Sequence, residues 1–250
     1  MRRTLVVPYT HPSHLFRLTS VSYPMITTVE DLVSLLQLAS PALPLGAFSY
    51  SQGLEAAIET GCVQDENTAR SWVTSGLLEV LGRCELPVLF AQMSSWRMNA
   101  FDDLKRVDHW FRITRETKEL REETEQMGWS LVRLALSLEI SDATRRKALA
   151  DMRPISFPSA YALAAQGLEL NSEAVATAYA FSWIENQVSV AVKTVPLGQS
   201  AGQKILLALR PVVRRTLEQP RKLDGVSTLA PHLAILSARH ETQYSRLFRS

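Results

Sequence analysis

The sequence predicts an all-α fold, a single helical bundle of about ten helices. Three observations carry that expectation. Apolar residues recur every three or four positions along most of the chain. Ser, Thr, Asp, Gly and Pro punctuate these runs where helices start and stop. No convincing alternation of apolar and polar residues is present, and the β-rich run 188–192 sits inside a helical stretch.

The first helix opens at Thr28, with Asp31 three residues on as its capping partner and Leu32, Leu35 and Leu36 on one stripe. An elbow rich in Pro and Gly follows, and the second helix runs to Gly61, a suitable C′ residue. Asp65 caps the third, where Trp72, Val73, Leu77 and Leu81 recur at helical spacing, and Gly82 is expected to end it. Pro87 suits the first turn of a fourth helix running toward Trp96. Residues 101–116 are amphipathic around Leu104, Val107, Trp110 and Phe111. Residues 118–138 form a long helix with Leu120, Met127, Leu131, Leu134 and Leu138 on one side. Glu119, Glu122, Glu123 and Glu125 read as its solvated acidic face.

A short charged helix covers 141–152. Pro158 starts the next, which ends near Gly167. Ser172 is the expected cap of 173–192, a helix apolar almost all round and so expected in the middle of the bundle. Helix 199–210 is expected to stop at Pro211 in a break or kink. Residues 228–241 form the last long helix.

A chain of 250 residues with 46% hydrophobic and 21% charged composition can bury a sizeable core. Its net charge of +2 is too small to argue for nucleic acid. The charge is uneven: from Lys204 onward nine bases (204, 210, 214, 215, 221, 222, 239, 246, 249) face three acids (218, 224, 241). That fits a basic face for an acidic partner, and a solvated surface explains it nearly as well. No run approaches the length of a membrane span. Cys62 and Cys84 form no CxxC pattern and read as small buried hydrophobes in a reducing, cytoplasmic setting.

Residues 1–27 read as a flexible extension. The arm to Pro24 carries Arg2, Arg3 and Arg17 and no acid, while Pro8, Pro12 and Pro24 deny it a helix and Met25 offers an alternative start. His11 and His14 supply only half of a tetrahedral ligand set.

Residues 198–204 imitate a phosphate-binding loop without being one. Three residues, not four, separate Gly198 from Gly202, Gln203 separates Gly202 from Lys204, and Ile205 stands where Ser or Thr is needed. Asp102 and Asp103 suit a helix start, and Glu122 and Glu123 have no partner of a general acid–base pair. His109, His232 and His240 stand apart in sequence and read as surface or satisfied core histidines. No catalytic, metal or cofactor residue is assigned.

Three stretches remain. The elbow joins Pro41, Pro44 and Gly46 to Phe48, Ser49, Tyr50, Ser51 and Glu55; its prolines and glycine make it rigid, and Ser49 or Ser51 can cap the helix beyond. The second stretch runs from Lys193 through Pro196 and Gly198 to Gln199, Gln203 and Lys204. The third is the tail from His240, with Tyr244, Arg246, Leu247 and Phe248, an aromatic–arginine composition typical of interface hot spots.

In this order and spacing the three stretches resemble the urease accessory protein F (UreF) family, and the resemblance runs from about Thr28 to Ser250, an all-α domain with a C-terminal docking tail. It implies an all-α homodimer that helps to load nickel into apo-urease. The implied partners are a UreD/UreH-type scaffold and a UreG-type GTPase. The resemblance also implies that the tail packs against the scaffold and that Lys193, with Gln199, Gln203 and Lys204 beside it, faces the GTPase. Phe48, Tyr50 and Glu55 would brace the tail or the dimer. Nickel would be handled by the complex and not held tightly by this chain, which would be no enzyme. Two other readings of the residues stay open: a helical enzyme with an unrecognised polar pocket, and a helical interaction module unrelated to urease. The tail's other expected fate is to fold back on its own bundle.

Overall fold

The computed structural model describes residues 28–219, 223 and 230–250. The extension 1–27, with His11 and His14, and the expected helix start at Thr228 lie outside the described residues, as do Arg221, Lys222 and Asp224. Among the described residues all regular structure is helical, and the expected all-α bundle is what the chain forms. In order the α-helices are α1 Val29–Leu38, α2 Leu54–Glu59, α3 Glu66–Ser75, α4 Leu86–Met98, α5 Phe101–Ile113, α6 Lys118–Ser137, α7 Ala143–Ala150, α8 Phe157–Gly167, α9 Ser172–Thr194, α10 Gln199–Leu217 and α11 Pro231–His240.

The rod from α3 to α4 departs from expectation. Gly82 does not end a helix. A π-helical stretch, Gly76–Glu85, joins α3 to α4 without a break. Its glycines serve close approach: a Cβ on Gly76 would lie 2.4 Å from the Trp183 ring, and one on Gly82 would lie 2.5 Å from the Gln219 side chain. Pro87 sits where π winding gives way to α winding, so it begins no separate helix. Pro211 likewise leaves α10 unbroken. It lies on the exposed face, so the Leu207 carbonyl that loses its helical donor can turn to water.

Several caps follow the sequence. Thr28 and Asp31 bond each other's amides at 3.0 Å, and Asp65 pairs with Thr68 in the same way. Gly61 takes the expected left-handed conformation after α2. Asn171, not Ser172, caps α9, because its side-chain oxygen accepts from the amides of Glu173 and Ala174.

Two helices fill the centre. α9 packs against α1, α2, α3, α4 and α10, as its apolar girth predicts, although Phe181 remains exposed. α8 is buried more completely, with every residue from Pro158 to Gln166 inside. It lies between α4 and α6, and its alanines let both come close. Its N-terminus is satisfied from neighbouring helices: Asp108 of α5 accepts from the Ser156 amide and hydroxyl at 2.8 and 2.7 Å, and Thr124 of α6 accepts from the Phe157 amide at 3.0 Å.

Three surface expectations are corrected. On α1, Leu35 and Leu38 are buried, whereas Val29, Leu32, Val33 and Leu36 face solvent. Cys62 is exposed, and only Cys84 is buried. The acidic side of α6 is not all solvated: Glu123 is buried, Glu119 and Glu125 are half-buried in ion pairs or hydrogen bonds, and Glu122 alone is open. Helical spacing sets the face of a residue but not which neighbours will cover it.

Candidate functional site

The elbow (residues 40–53) begins with the turn after α1 and closes on Gly53. Gly46, Gln52 and Gly53 all have positive φ. Gly46 therefore does what its place in the sequence predicts. Gly53 has a second constraint, because a Cβ there would stand 3.3 Å from the Ser237 amide nitrogen of α11. Ser49 ends a short 3-10 turn and caps nothing, while the Ser51 hydroxyl accepts weakly from the Glu55 amide at 3.4 Å.

α9 fixes the elbow from beneath. Asn186 donates to the Tyr50 carbonyl at 3.0 Å and Gln187 to the Ser51 carbonyl at 3.1 Å, while Trp72 steadies Gln187 by donating to its side-chain oxygen at 3.2 Å. The Trp183 indole donates to Gln52 at 2.6 Å, and Gln52 donates in turn to Glu123 at 2.6 Å. Tyr50 is buried and Phe48 is exposed.

The tail folds back onto this elbow. The Arg249 amide donates to the Ser49 carbonyl at 2.7 Å, the Ser51 amide donates to the Ser250 carbonyl at 2.6 Å, and the Ser51 hydroxyl also donates to that carbonyl. Glu55, buried on α2, accepts from the amides of Leu247 and Phe248 at 2.7 and 3.1 Å. His240 stands behind it, fully buried, with Nε2 3.0 Å from Glu55 and Nδ1 2.8 Å from Glu119. Arg246 closes the cluster on Glu119. His240 is thus a satisfied core histidine, as expected, and it organises two carboxyl groups.

This closure splits the tail into two faces. Phe248 and Ser250 are buried. Tyr244 and Leu247 point outward at 105% and 76% exposure, and Arg246 is a little more than one-third exposed through its side chain. Of the second stretch, Lys193 is exposed, and its ammonium lies 6.0 Å from the centre of the Phe248 ring. Gln199, Gln203 and Lys204 are exposed along the first turns of α10. Gly202 packs against α9, where a Cβ would meet Val192 at 2.8 Å. The imitation phosphate loop is therefore a packing device between two helices.

Beneath the elbow lies a cavity of about 130 Å³ with an apolar mouth and a polar floor, the latter including Glu85, Arg115, Glu123 and Tyr179. Tyr179 donates to Glu85 at 2.7 Å, and Arg115 lies 3.5 Å from the other Glu85 oxygen and donates to the Cys84 sulfur at 3.3 Å. Burial pushes the Cys84 thiol up to about 12, so it stays protonated and is a poor nucleophile. Burial, with Glu85 adding to it, also raises the Tyr179 hydroxyl far above its ordinary value. Among the described residues no group of three or more His, Cys, Asp or Glu side chains could hold a metal ion. No helix among them is long and apolar enough to cross a membrane.

Of the residues singled out in the sequence, Tyr50, Glu55 and Phe248 meet at the junction of elbow and tail, which also draws in Gln52, Glu119, Glu123, Asn186, Gln187 and His240, none of them expected there. Two signals were available: Gln52 lies inside the elbow stretch, and His240 opens the tail stretch. The rest meet only through the fold.

A family model, UreF, matches residues 63–210, from the loop before α3 into α10. The match includes Lys193, Gln199, Gln203 and Lys204, while elbow and tail flank it. Covering more than half of an all-α chain, it places the protein among the urease accessory proteins: the chain belongs to the UreF family.

Proposed function

We propose that this protein is a non-enzymatic adaptor in urease maturation. It joins a UreD/UreH-type scaffold to a UreG-type GTPase, modulates that GTPase, and so serves nickel insertion into cytoplasmic apo-urease. Nickel is cargo of the assembled complex in this reading and not a resident ion of this chain. The observation that carries the reading is the clamped tail. Buried Glu55 and the elbow fix its backbone, and this holds Tyr244 and Leu247 outward on a rigid base, with Arg246 beside them paired to Glu119. Preorganised aromatic, basic and aliphatic side chains of this kind suit a protein interface, because little freedom is lost on docking. This face is assigned to the scaffold.

Lys193, Gln199, Gln203 and Lys204 form the GTPase-facing surface. Farther along α10, Arg210, Arg214 and Arg215 are exposed and extend it with positive charge. Homodimerisation is assigned to α1, whose Val29, Leu32, Val33 and Leu36 form an uncharged stripe that a second copy would remove from water. Phe48, Tyr50 and Glu55 act from behind: Tyr50 and Glu55 brace the tail, and exposed Phe48 stands at the cavity mouth near the end of α1.

The polar floor of the cavity is weak support for catalysis. The Glu85 oxygens are engaged by Tyr179 and Arg115, and the Glu123 oxygens by Gln52 and Ser250. Binding of the scaffold to a Tyr244→Ala/Leu247→Ala variant tests the reading. Both changes remove only outward side chains, so the fold should persist while scaffold binding weakens at least a hundredfold. Unchanged affinity would remove the tail from the interface.

A further inference from the structure

Two buried glutamates hold the tail, and they do so by different means. Glu55 holds it by main-chain amides and is backed by His240. Glu123 holds it by the Ser250 hydroxyl, at 2.7 Å, and holds the elbow by the Gln52 amide at 2.6 Å. Glu123 therefore sits at the point where α6, elbow and tail meet, closed off from solvent by all three.

Among the described residues none forms an ion pair with Glu123. From the π stretch Glu85 adds a second negative charge. Arg115, at the α5–α6 connection, is the nearest base, but it lies against Glu85 and Cys84. From the elbow comes the Tyr50 hydroxyl, with Arg249 of the tail hydrogen-bonded to it. On the same helix Glu119 is committed to His240 and Arg246, and Glu122 pairs with Lys118 at the surface. From α9, Tyr179 and Glu185 line the adjoining cavity. A carboxyl group enclosed in this way is hydrogen-bonded by neutral donors, with Arg115 only a positive charge held by other groups, and ionising it places a charge without an ion-pair partner in the interior.

We propose that the tail is a proton-linked latch, in which elbow and tail close over Glu123 when its carboxyl is protonated and loosen when it ionises. Burial is the main cause that pushes the Glu123 carboxyl up to about 7; Glu85 reinforces it, while the Gln52 and Ser250 hydrogen bonds and Arg115 oppose it. The sign follows from linkage. An acid raised by closure favours the closed form at low pH. That advantage is lost as pH climbs from the ordinary carboxylate range to the raised value, and above it the closed tail is at its weakest. The latch thus responds near neutrality, where a small change in acidity alters how readily the tail is freed. It goes beyond the adaptor reading and holds whether or not the scaffold is the tail's partner.

Hydrogen exchange of the tail amides, followed by NMR from pH 6 to 8.5, tests it in the parent and in Glu123→Gln. The ratio of parent to variant opening cancels every other titrating group, Glu55 and His240 included. With Glu123 returning to its ordinary value once wetted, that ratio should rise about tenfold across the interval. A ratio that stays flat overturns the latch. Carbon-13 titration of the Glu123 carboxyl in the parent needs no substitution: a midpoint near 7 supports the latch, and one in the ordinary carboxylate range overturns it. In Glu55→Ala, which removes the acceptor of the Leu247 and Phe248 amides and leaves the hydrogen bonds of Glu123 untouched, that midpoint should move down toward the ordinary range. An unmoved midpoint in that variant shows that closure does not govern the group and also overturns the latch.

Discussion

Replacing Glu55 by alanine should release the tail while leaving the helical body folded. In the parent, the Glu55 side chain accepts from the amides of Leu247 and Phe248 at 2.7 and 3.1 Å and contacts His240 at 3.0 Å. A buried donor left unpaired costs about 1–3 kcal/mol, so keeping the tail closed over alanine would cost about 2–6 kcal/mol for the two amides alone. Burial of the Phe248 side chain opposes release by about 2 kcal/mol. The remaining ties are the bonds of Arg249 and Ser250 to the elbow, of Ser250 to Glu123 and of Arg246 to Glu119. The closed tail loses about 2–6 kcal/mol relative to the open one, so exchange of the 244–250 amides should accelerate by about thirtyfold or more, while denaturant stability of the body falls by only about 1–2 kcal/mol. Glu55→Gln keeps one acceptor oxygen and should fall between parent and alanine variant. Mass-detected hydrogen exchange with a urea titration reads both quantities. Tail amides as protected in Glu55→Ala as in the parent would refute the claim that Glu55 is the clamp.

Other outcomes follow from the same geometry. Gly128→Ala should destabilise the body by about 2–3 kcal/mol, because its Cβ would stand 2.3 Å from the Ile155 carbonyl oxygen and backbone cannot swing aside; thermal unfolding measures it. Leu32→Glu/Leu36→Glu should turn a dimer into a monomer with unchanged helicity, read by sedimentation and circular dichroism. Lys193→Ala should weaken GTPase recruitment while sparing the scaffold complex, measured as binding to the preformed scaffold pair. Normal recruitment would remove Lys193 from that surface.

Much of the fold was legible because helix punctuation is local. Thr28 and Asp65 have their capping partners three residues away, and Gly61 needs only its own φ. The misread positions are those where a distant element decides. Gly82 looks like a stop until Gln219 is seen against it, and Pro211 looks like a break until its exposed face is known. Glu123 lies on a stripe of glutamates that differ little in sequence, and only the arrival of Gln52 and Ser250 buries it. At the candidate site, composition marked the elbow and tail as special, but their mutual contact spans about two hundred residues of chain and no local pattern encodes it. Of the tail's two expected fates, the folding back is what Phe248 and Ser250 do, while Tyr244 and Leu247 stay outward.

The central claim is that this chain works by presenting surfaces to other proteins. Reconstitution with scaffold, GTPase, GTP, nickel and apo-urease tests it most directly, with urease activity as the readout. Activation should require the parent chain and fail with Tyr244→Ala/Leu247→Ala. Equal activation with that variant, or with the chain left out, would contradict it.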